Sequence, residues 1–485
     1  MTSPPIHRWR AFSLLAVAAF MTVMDLTIVN TALPTIGRTL HFSQTSLLWV
    51  VTAYELAYGG FLLLGGRAAD LLGRRRVIIA GLAVFTAASL GDSLAGSETV
   101  LIAMRATQGF GAAMFLPAAL STVRNMFSEG AERNTALGIW GALAALGATV
   151  GLVLGGLLTR FAGWQYVFLV NVPVGVTALA LMRRVVPETR LSGEARRYDP
   201  LGAVMVTGAL VLLAYGIAQA PRVGWGALRT IAELTAGAAL LAAFVALESR
   251  AEAPLMPLRI FRLRTLAGAN AVGFLLGASF YAFIFIGTLY MQQVLGYSAL
   301  QGGFAWAASG VASMLFAGIS QALVTKVSAK LVMAFGMTVL AAGIFWTARA
   351  PVDGHYIGDL FGPFLLGVGM GTAFTFIPVQ IAALAGVAER EAGLASGLIY
   401  TTQELGGALG IAIASSIASG HYTTLLHRGD SVRAALTGGF HCALWVCGAL
   451  ALLAIPVTFL LIRDDEMAAA VAATMAREPQ PDPAT

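Results

Sequence analysis

The apolar residues of this chain fall into blocks of about 20, each long enough to cross a hydrocarbon layer of about 30 Å as a helix. Of the 485 residues, 58% are hydrophobic and only 11% are charged, whereas a typical soluble domain has about 25% charged residues. We therefore predict an all-α polytopic membrane protein. About fourteen transmembrane helices are expected, with approximate limits 11–33, 47–66, 77–96, 99–123, 135–159, 165–186, 201–220, 229–248, 266–291, 302–325, 331–348, 357–384, 394–418 and 438–462.

The basic residues between these blocks predict the orientation of the chain, because cytoplasmic loops of membrane proteins are rich in Lys and Arg. With the N-terminus inside, the inner segments hold about 22 of the 30 basic residues and the outer segments about seven. Both termini are thus expected in the cytoplasm, in an inner or plasma membrane. Arg8 and Arg10 precede the first apolar run as in a signal peptide, but no clear cleavage site follows, so we expect an uncleaved first helix.

The polarity of the connections predicts a division into two halves. The most polar inner connections, 183–200 and 249–265, bracket spans seven and eight, with six spans on either side. Internal repetition of this kind is common in transporters. We expect an N-terminal six-helix bundle, two inserted helices with their linkers, a C-terminal six-helix bundle and a disordered cytoplasmic tail, at residues 1–186, 187–265, 266–463 and 464–485. No segment outside the membrane is large enough to form a separate soluble enzyme domain.

Three charged residues lie deep in the predicted N-terminal bundle. At 1.5 Å per residue, Asp25 lies about 12 Å below the outer surface, Glu55 also about 12 Å and Arg105 about 9 Å. A charge at such depth is costly and marks a functional site by default, and burial favours the neutral form of a carboxyl group. We predict one proton-responsive cluster. The alternative is that one acid pairs permanently with Arg105 and locks two helices, which leaves the other acid without a partner.

A further acid and several aromatic and amide residues are candidates for a proton or substrate site. Glu404 lies about 15 Å from the cytoplasmic end of span thirteen and is either such a site or a helix-packing acid. Aromatic rings bind flat or cationic ligands, although most aromatics in spans face lipid or other helices. The candidate substrate residues are Asn30, Tyr54, Tyr58, Asn171, Tyr281, Phe285, Tyr290, Gln292, Trp306, Phe374, Phe376, Tyr400 and Gln403.

The segment 65–76 between spans two and three combines glycines, an acid and four arginines. Glycine permits a tight turn, and Asp70 near the start of the third helix favours its N-terminal dipole. Arg74 follows four residues later, within reach for pairing. We predict a latch between the two bundles on the cytoplasmic side, formed by Gly66, Asp70, Gly73, Arg74 and Arg75. Ordinary positive-inside topology is the alternative, but it does not explain the spacing of the glycines and the acid.

Glycines also recur at four-residue spacing in span five, at Gly147, Gly151 and Gly155, followed by Gly156. Small residues at this spacing allow two helix backbones to approach closely. Generic packing in a glycine-rich membrane protein is an equally open explanation. Cys442 and Cys447 lie in one late apolar block without metal-ligand spacing and are expected to be packing residues.

Four motifs together resemble the major facilitator superfamily, and in particular its fourteen-span drug:proton antiporter branch. They are the loop 65–77, the stretch 25–34 read as Asp-x-Thr-x-Val-Asn-x-Ala-Leu-Pro, the stretch 105–111, and the residues 164–175 at the start of span six. One departure lies in span five, where Leu152 stands in place of the proline of the antiporter motif. The resemblance implies two six-helix bundles plus two inserted helices, a monomer, no cofactor, and a proton gradient as the energy source.

The function expected from these observations is proton-coupled export of amphipathic, cationic or aromatic small molecules, such as drugs, antibiotics or natural products, by alternating access. The partners are then a small-molecule substrate, protons and the lipid bilayer. The net charge of +6 does not indicate nucleic-acid binding, because the arginines lie between the apolar blocks. No catalytic or metal signature lies at membrane depth, so an enzyme is not expected. Import by proton symport and ligand sensing without transport remain the alternatives.

Overall fold

The computed structural model describes residues 5–127, 131–186, 188, 200–251, 254, 258–324, 326–387, 392–463 and 466. Eleven helices in this part of the chain are long and apolar enough to cross a membrane by length and composition. Three more, numbered α2, α5 and α13 below, have the length as well. The long helices are α1 Pro5–Thr39, α2 Trp49–Leu72, α3 Arg74–Ser93, α4 Glu98–Met126, α5 Ala131–Phe161, α6 Gln165–Val185, α7 Pro200–Val223, α8 Leu228–Arg250, α9 Arg264–Val294, α10 Ala299–Val324, α11 Ala329–Thr347, α12 Tyr356–Leu384, α13 Ala392–His427 and α14 Val432–Leu461.

The predicted all-α membrane fold is confirmed. Helices form throughout the apolar blocks because a lipid-embedded backbone must satisfy its hydrogen bonds internally. Gly73 has a φ of 102°, a left-handed value that glycine adopts without strain, so α3 follows α2 directly. Ser97 and Ser431 cap the first turns of α4 and α14, since their side chains accept hydrogen bonds from the backbone of Val100 and Ala434.

The first and last six helices pack as two bundles. In the N-terminal bundle, α1 packs on α5, α2 and α3 pack on α4, and α6 packs on α1 and α3. In the C-terminal bundle, α9 packs on α13 and α14, α11 on α14, and α10 on α12. Most of the predicted linker 187–199 and of the predicted tail 464–485 lies outside the described residues.

The two bundles meet along a seam formed by α2 against α13 and α5 against α10, with further contact between α1 and α9. At one point of this seam, Nε2 of Gln292 on α9 donates to the backbone oxygen of Thr31 on α1 at 2.9 Å. Of the two inserted helices, α7 packs on both α2 and α13, and α8 packs on α7. The inserted pair therefore covers one side of the seam.

The fourteen crossings place the start of α1 and the end of α14 at the same end of the bundle, called the terminus end below. The end of α14 is joined to the start of α9 there, because the backbone nitrogen of Arg463 donates to Oγ1 of Thr265 at 3.1 Å. The other end, called the opposite end, holds the turn between α3 and α4.

Candidate functional site

Three helices of the N-terminal bundle bring Asp25, Arg105 and Asn171 together. Nη1 of Arg105 on α4 donates to Oδ2 of Asp25 on α1 at 2.7 Å. Nδ2 of Asn171 on α6 donates to Oδ1 of the same carboxylate at 2.6 Å. All three side chains are fully buried. Asp25 is therefore held by one charged and one neutral donor, and the ion pair is electrically balanced.

Further contacts hold the guanidinium of Arg105 in place. Its Nε donates to the backbone oxygen of Val50 at 2.8 Å, and its Nη1 also donates to Oε1 of Gln108 at 2.5 Å. Nε2 of Gln108 donates in turn to Oγ of Ser89 at 2.6 Å. The ring of Tyr54 lies 4.3 Å from the guanidinium carbon, a distance that favours cation–π attraction. We call this set, with Asp25 and Asn171, the N-bundle network.

Glycine explains why α2 comes close enough to α4 to take part. A Cβ atom on Gly109 would lie 2.3 Å from the backbone oxygen of Tyr54, which is closer than two such atoms can approach. Likewise, a Cβ atom on Gly65 would lie 2.0 Å from the backbone oxygen of Ala113. The two glycines permit close packing of the helices, so the backbone of α2 reaches the buried arginine.

Asp92 on α3 is a buried acid that the sequence analysis missed. It is fully buried, and neither of its carboxylate oxygens has a hydrogen-bond partner in the described part of the chain. Its field reaches both Arg105 and Asp25. A signal was present in the sequence, because Ser89 and Asp92 lie three residues apart and only a short turn separates α3 from α4. Gln108 was missed in the same way, three residues after Arg105.

Glu55 lies at the seam between the bundles rather than among the donors of the N-bundle network. It is buried, and its Oε2 has no hydrogen-bond partner among the described residues. One helical turn further along α2, a Cβ atom on Gly59 would lie 3.0 Å from Cβ of Glu404 on α13. Glu55 lies within electrostatic range of both Glu404 and Arg105. The structure thus brings one acid from each bundle to the same stretch of the seam.

Tyrosines and an amide surround Glu404. The hydroxyl of Tyr281 on α9 donates to its Oε1 at 3.1 Å, whereas its Oε2 has no partner among the described residues. Tyr58 and Tyr400 lie within electrostatic range of the same carboxyl group, and Tyr400 is 37% exposed. Nε2 of Gln403 is likewise buried without a partner in the described part. We call Glu55, Glu404 and these four residues the seam site.

Two of the predicted substrate residues are engaged in packing within the C-terminal bundle. Trp306 is fully buried, its Nε1 donates to Oγ1 of Thr288 at 3.0 Å, and its ring stacks on Phe364 with centroids 4.0 Å apart. The hydroxyl of Tyr290 donates to the backbone oxygen of Pro351 at 2.6 Å. Neither side chain lies at the seam site in this conformation.

Five more of the predicted substrate residues also lie away from the seam site. Phe285 is buried in the core, and Phe374 packs against Phe335 with ring centroids 5.4 Å apart. Phe376 is 39% exposed. Nδ2 of Asn30 donates to backbone oxygens of its own helix. Gln292 bridges the bundles at α1, as described above. Of the thirteen candidates, the structure gathers Tyr58, Tyr281, Tyr400 and Gln403 at one acid.

The predicted latch residues lie at the terminus end, around the turn between α2 and α3. Gly66 faces α4, since a Cβ atom there would lie 3.6 Å from Cβ of Pro117, and Gly73 forms the turn itself. Arg74 is buried. The side chain of Asp70 lies outside the described part of the structure.

Two arginines on either side of this turn contact different parts of the chain. Nη1 of Arg75 donates to the backbone oxygen of Val186 at 3.3 Å, and its Nε lies 3.6 Å from Oε2 of Glu188. These partners belong to the N-terminal bundle or follow it directly. Arg67 instead donates to the backbone oxygen of Pro254, in the connection that precedes the C-terminal bundle. The latch across the bundles remains a prediction for all five residues, and Arg67 of the same segment contacts a residue beyond its own half.

The glycines of span five lie at two helix contacts. A Cβ atom on Gly147, Gly151 or Gly155 would lie 3.2, 2.6 or 2.2 Å from a backbone oxygen of α1. On Gly156 it would lie 2.4 Å from the backbone oxygen of Ala299 on α10. The first three glycines therefore set the distance between α5 and the segment of α1 that carries Asp25, and the fourth contributes to the seam.

Comparisons with known proteins agree with this architecture. A model of the Major Facilitator Superfamily matches residues 15–411. The chain is 41% identical over 408 residues to the cephamycin export protein CmcT of Amycolatopsis lactamdurans, covering 83% of each protein. It is 36% identical over 443 residues to the puromycin resistance protein pur8 of Streptomyces alboniger, covering 90% of this chain and 87% of that protein.

A solved structure with the same fold is that of a bacterial homolog to the human lysosomal transporter Spinster, in an inward-facing and unoccupied conformation. The TM-score is 0.68 at 14% sequence identity, and the match covers 96% of this chain and 99% of that one. At this identity the likeness concerns the fold alone.

Proposed function

The chain belongs to the Major Facilitator Superfamily, a family of membrane transporters, and from this premise we propose that it exports amphipathic, cationic or aromatic small molecules in exchange for protons. Its relatives are named for cephamycin export and puromycin resistance, so we infer a substrate among antibiotics and similar natural products. The chain is a multi-pass membrane protein. We further propose a monomer in the plasma membrane with both termini in the cytoplasm, driven by the proton gradient without a cofactor.

The observation that carries the proposal is the seam site, where Glu55 and Glu404 approach each other from opposite bundles. Neither acid forms an ion pair with a Lys or Arg of the described residues. Two ionised carboxylates so close in a medium of low dielectric constant repel each other. The pair therefore favours a bound cation or a proton, and these two ligands compete for the same oxygens.

This competition provides a physical basis for exchange. When both acids are ionised, a cationic substrate is attracted by their charge, and the rings of Tyr58, Tyr281 and Tyr400 add apolar and cation–π contact. When a proton binds, the charge falls and the hold on the substrate weakens. Substrate and proton thus occupy the site in alternation, which is what antiport requires.

The position of the acids at the seam couples their occupancy to the conformation. A ligand shifts an equilibrium between two states only by its differential affinity for them. Carboxyl groups of the two bundles change their separation when α2 moves relative to α13, so occupancy by a cation, a proton or neither favours different arrangements of the bundles. Each elementary charge moved across 100 mV is worth about 2.3 kcal/mol, which is enough to concentrate a substrate about fiftyfold.

The N-bundle network has a different role in this scheme. Because both oxygens of Asp25 are bonded in the structure, we propose that Asp25 responds to protons only when Arg105 is released. The network then links proton binding within the N-terminal bundle to the relative positions of α1, α4 and α6.

Transport into inverted membrane vesicles tests the proposal. Ethidium, a fluorescent aromatic cation, serves as the probe, and wild type is compared with Asp25→Asn, Glu55→Gln and Glu404→Gln under an imposed proton gradient. We expect wild type to accumulate ethidium and to lose that accumulation when the gradient is dissipated. We expect Glu404→Gln to bind ethidium more weakly, and Asp25→Asn to keep its binding while losing gradient-driven accumulation.

Three results would contradict parts of the proposal. Accumulation that is indifferent to the gradient argues against proton coupling. Movement of ethidium out of the inverted vesicles with the protons argues for import by symport. Binding without any movement under all conditions indicates a ligand sensor.

A further inference from the structure

Asp92 is an acid whose surroundings do not account for its burial. It lies one residue before the end of α3 at the opposite end of the bundle, and its side chain is fully buried. Neither of its oxygens has a hydrogen-bond partner among the described residues. A buried carboxylate without hydrogen bonds or a counter-ion is strongly unfavourable, and such a group becomes neutral instead. The neutral, protonated form of Asp92 avoids this cost.

The register of α3 and α4 places Asp92 level with Arg105. The two helices are antiparallel, and Ser89 faces Gln108 at 2.6 Å. In an antiparallel pair, three residues forward on α3 correspond to three residues back on α4, which pairs Asp92 with Arg105. A Cβ atom on Gly91 would lie 2.6 Å from Sδ of Met104, in agreement with this register.

The groups around Asp92 and the arginine level with it come from four helices. Arg105 of α4 and Asp25 of α1 are the charged residues whose fields reach it. Around Arg105 and Asp25 lie also the neutral amide of Asn171 on α6, which is bonded to Asp25, and the phenol ring of Tyr54 on α2, which lies against Arg105. Arg105 is thus a cation with three acids in range, Asp25, Glu55 and Asp92, of which only Asp25 is bonded to it.

We propose that Asp92 is the second proton-carrying acid of the N-bundle network and the alternative partner of Arg105. In the structure observed, Asp92 holds the proton and Asp25 holds the arginine. When the proton leaves Asp92, its carboxylate takes the guanidinium, and Asp25, which loses its charged partner, takes up the proton. The three groups carry the same total charge before and after, with one proton moved from Asp92 to Asp25.

The location of Asp92 gives this exchange a direction. Asp92 lies near the opposite end of α3, where the helix meets the turn to α4, whereas Asp25 lies within α1. A proton that enters from the opposite end meets Asp92 first and reaches Asp25 only through the exchange of Arg105. The role of Asp92 in proton transfer rests on the proposed proton-coupled export. The protonation of Asp92 itself is tested by an experiment that does not require transport.

The first experiment is infrared difference spectroscopy of the purified full-length protein between acidic and alkaline buffer. Protonated carboxyl groups have a carbonyl stretch that ionised ones lack. We expect the wild-type spectrum to contain a band that is missing in Asp92→Asn. Glu98→Gln is the matched control, because Glu98 lies at the same end of α4 and already accepts a hydrogen bond from Ser46. We expect Glu98→Gln to retain the band, and an identical spectrum for wild type and Asp92→Asn would overturn the proposal.

The second experiment separates coupling from structure. Asn resembles protonated Asp in shape, so we expect Asp92→Asn to fold, bind ethidium and exchange it across vesicles without a gradient as wild type does. Gradient-driven accumulation should fall about fiftyfold, the ratio that one charge crossing about 100 mV supports. Asp92→Glu, which retains a proton-carrying group, should recover part of the accumulation.

The outcomes distinguish this inference from the proposed function. If wild type shows no gradient-driven transport but the carboxyl band is lost in Asp92→Asn, proton-coupled export fails and the protonated Asp92 stands. If transport is proton-driven and Asp92→Asn accumulates ethidium as well as wild type does, the role of Asp92 is wrong. If Asp92→Asn and Asp92→Glu both lost ethidium binding as well as accumulation, and to the same extent, Asp92 would have a structural role only. This result would reject the proposal.

Discussion

The N-bundle network and the seam site contain acids at similar depth in the same membrane protein, yet they differ in what surrounds those acids. Asp25 is bonded through both oxygens by side chains of its own bundle. Glu55 and Glu404 come from different bundles, and each has an oxygen without a partner in the described part of the chain. A satisfied acid holds helices together, whereas an unsatisfied one has capacity for a ligand. The comparison therefore separates a site suited to holding shape from a site suited to binding.

Removal of Arg105 tests the first half of this comparison and has the largest expected effect. Arg105→Met leaves Asp25 buried without its charged partner, and breaking a buried ion pair on one side costs about 3–5 kcal/mol. We expect a correspondingly lower unfolding temperature in detergent, measured by tryptophan fluorescence. The double variant Asp25→Asn/Arg105→Met should recover much of the loss, because no charge is left unpaired. Equal destabilisation of the single and double variants would show that the ion pair is not what holds these helices.

The charge of the seam site is tested by Glu404→Gln and Glu55→Gln. A hydrogen bond or ion pair to a charged group contributes about 1.5–3 kcal/mol, so each variant should bind a lipophilic cation such as tetraphenylphosphonium roughly tenfold to a hundredfold more weakly. Equilibrium dialysis measures this affinity. Asp25→Asn is the control from the other site and should leave it within about twofold. If all three variants lost cation affinity to a similar extent, the N-bundle network and the seam site would have to be regarded as one binding site.

Two glycines allow each site to be displaced without substituting its acids. A Cβ atom on Gly151 meets the backbone of α1 near Asp25, and one on Gly59 meets Glu404. Overpacking costs about 1–3 kcal/mol, and we expect Gly151→Ala to lose stability while cation affinity is kept. Gly59→Ala should show the reverse, because its contact is with a side chain of the other bundle. Thermal unfolding measures the stability of both variants, and equilibrium dialysis on the same samples measures their cation affinity. If both variants changed stability and affinity in the same way, the distinction between the two sites would be contradicted.

The smallest expected effect concerns the hydroxyl that donates to Glu404. Tyr281→Phe removes one hydrogen bond, worth about 1 kcal/mol, and should weaken cation binding about fivefold. Tyr290→Phe is a matched control, because the hydroxyl of Tyr290 donates to the backbone of Pro351 instead. We expect Tyr290→Phe to lower the unfolding temperature slightly and to leave dialysis unchanged. A larger loss of affinity in Tyr290→Phe would place the substrate on the other face of α9.

Much of the fold could be predicted from the sequence because the membrane restricts the possible structures. Apolar blocks of helical length must become helices in lipid, since no other segment satisfies its own backbone hydrogen bonds. The rise per residue then converts position in the chain into depth, so that Asp25, Glu55 and Arg105 were expected at one level. The same linear reasoning applies to Gly147, Gly151 and Gly155, whose spacing predicts one contact face.

Depth alone did not identify the partners. Three acids, Asp25, Glu55 and Asp92, lie within range of Arg105. Depth along the chain predicted the first two in one cluster, whereas Asp92 was not among the predicted site residues. Which acid meets the arginine depends on the rotation of each helix about its axis and on the packing of neighbouring helices. Gly109 and Gly65 set part of that packing, and their effect appears only when α2 and α4 are assembled.

The amino-acid sequence thus determined the membrane-spanning helices, the family and the approximate depth of each buried charge, because these follow from local composition and from the fixed rise of a helix. Only the tertiary structure decided that Asp25 is satisfied, that Asp92 is not, and that Glu55 lies within electrostatic range of Glu404 across the seam. Those outcomes depend on contacts between helices far apart in the chain, and a hydrogen bond forms only when its two atoms lie within about 3 Å of each other.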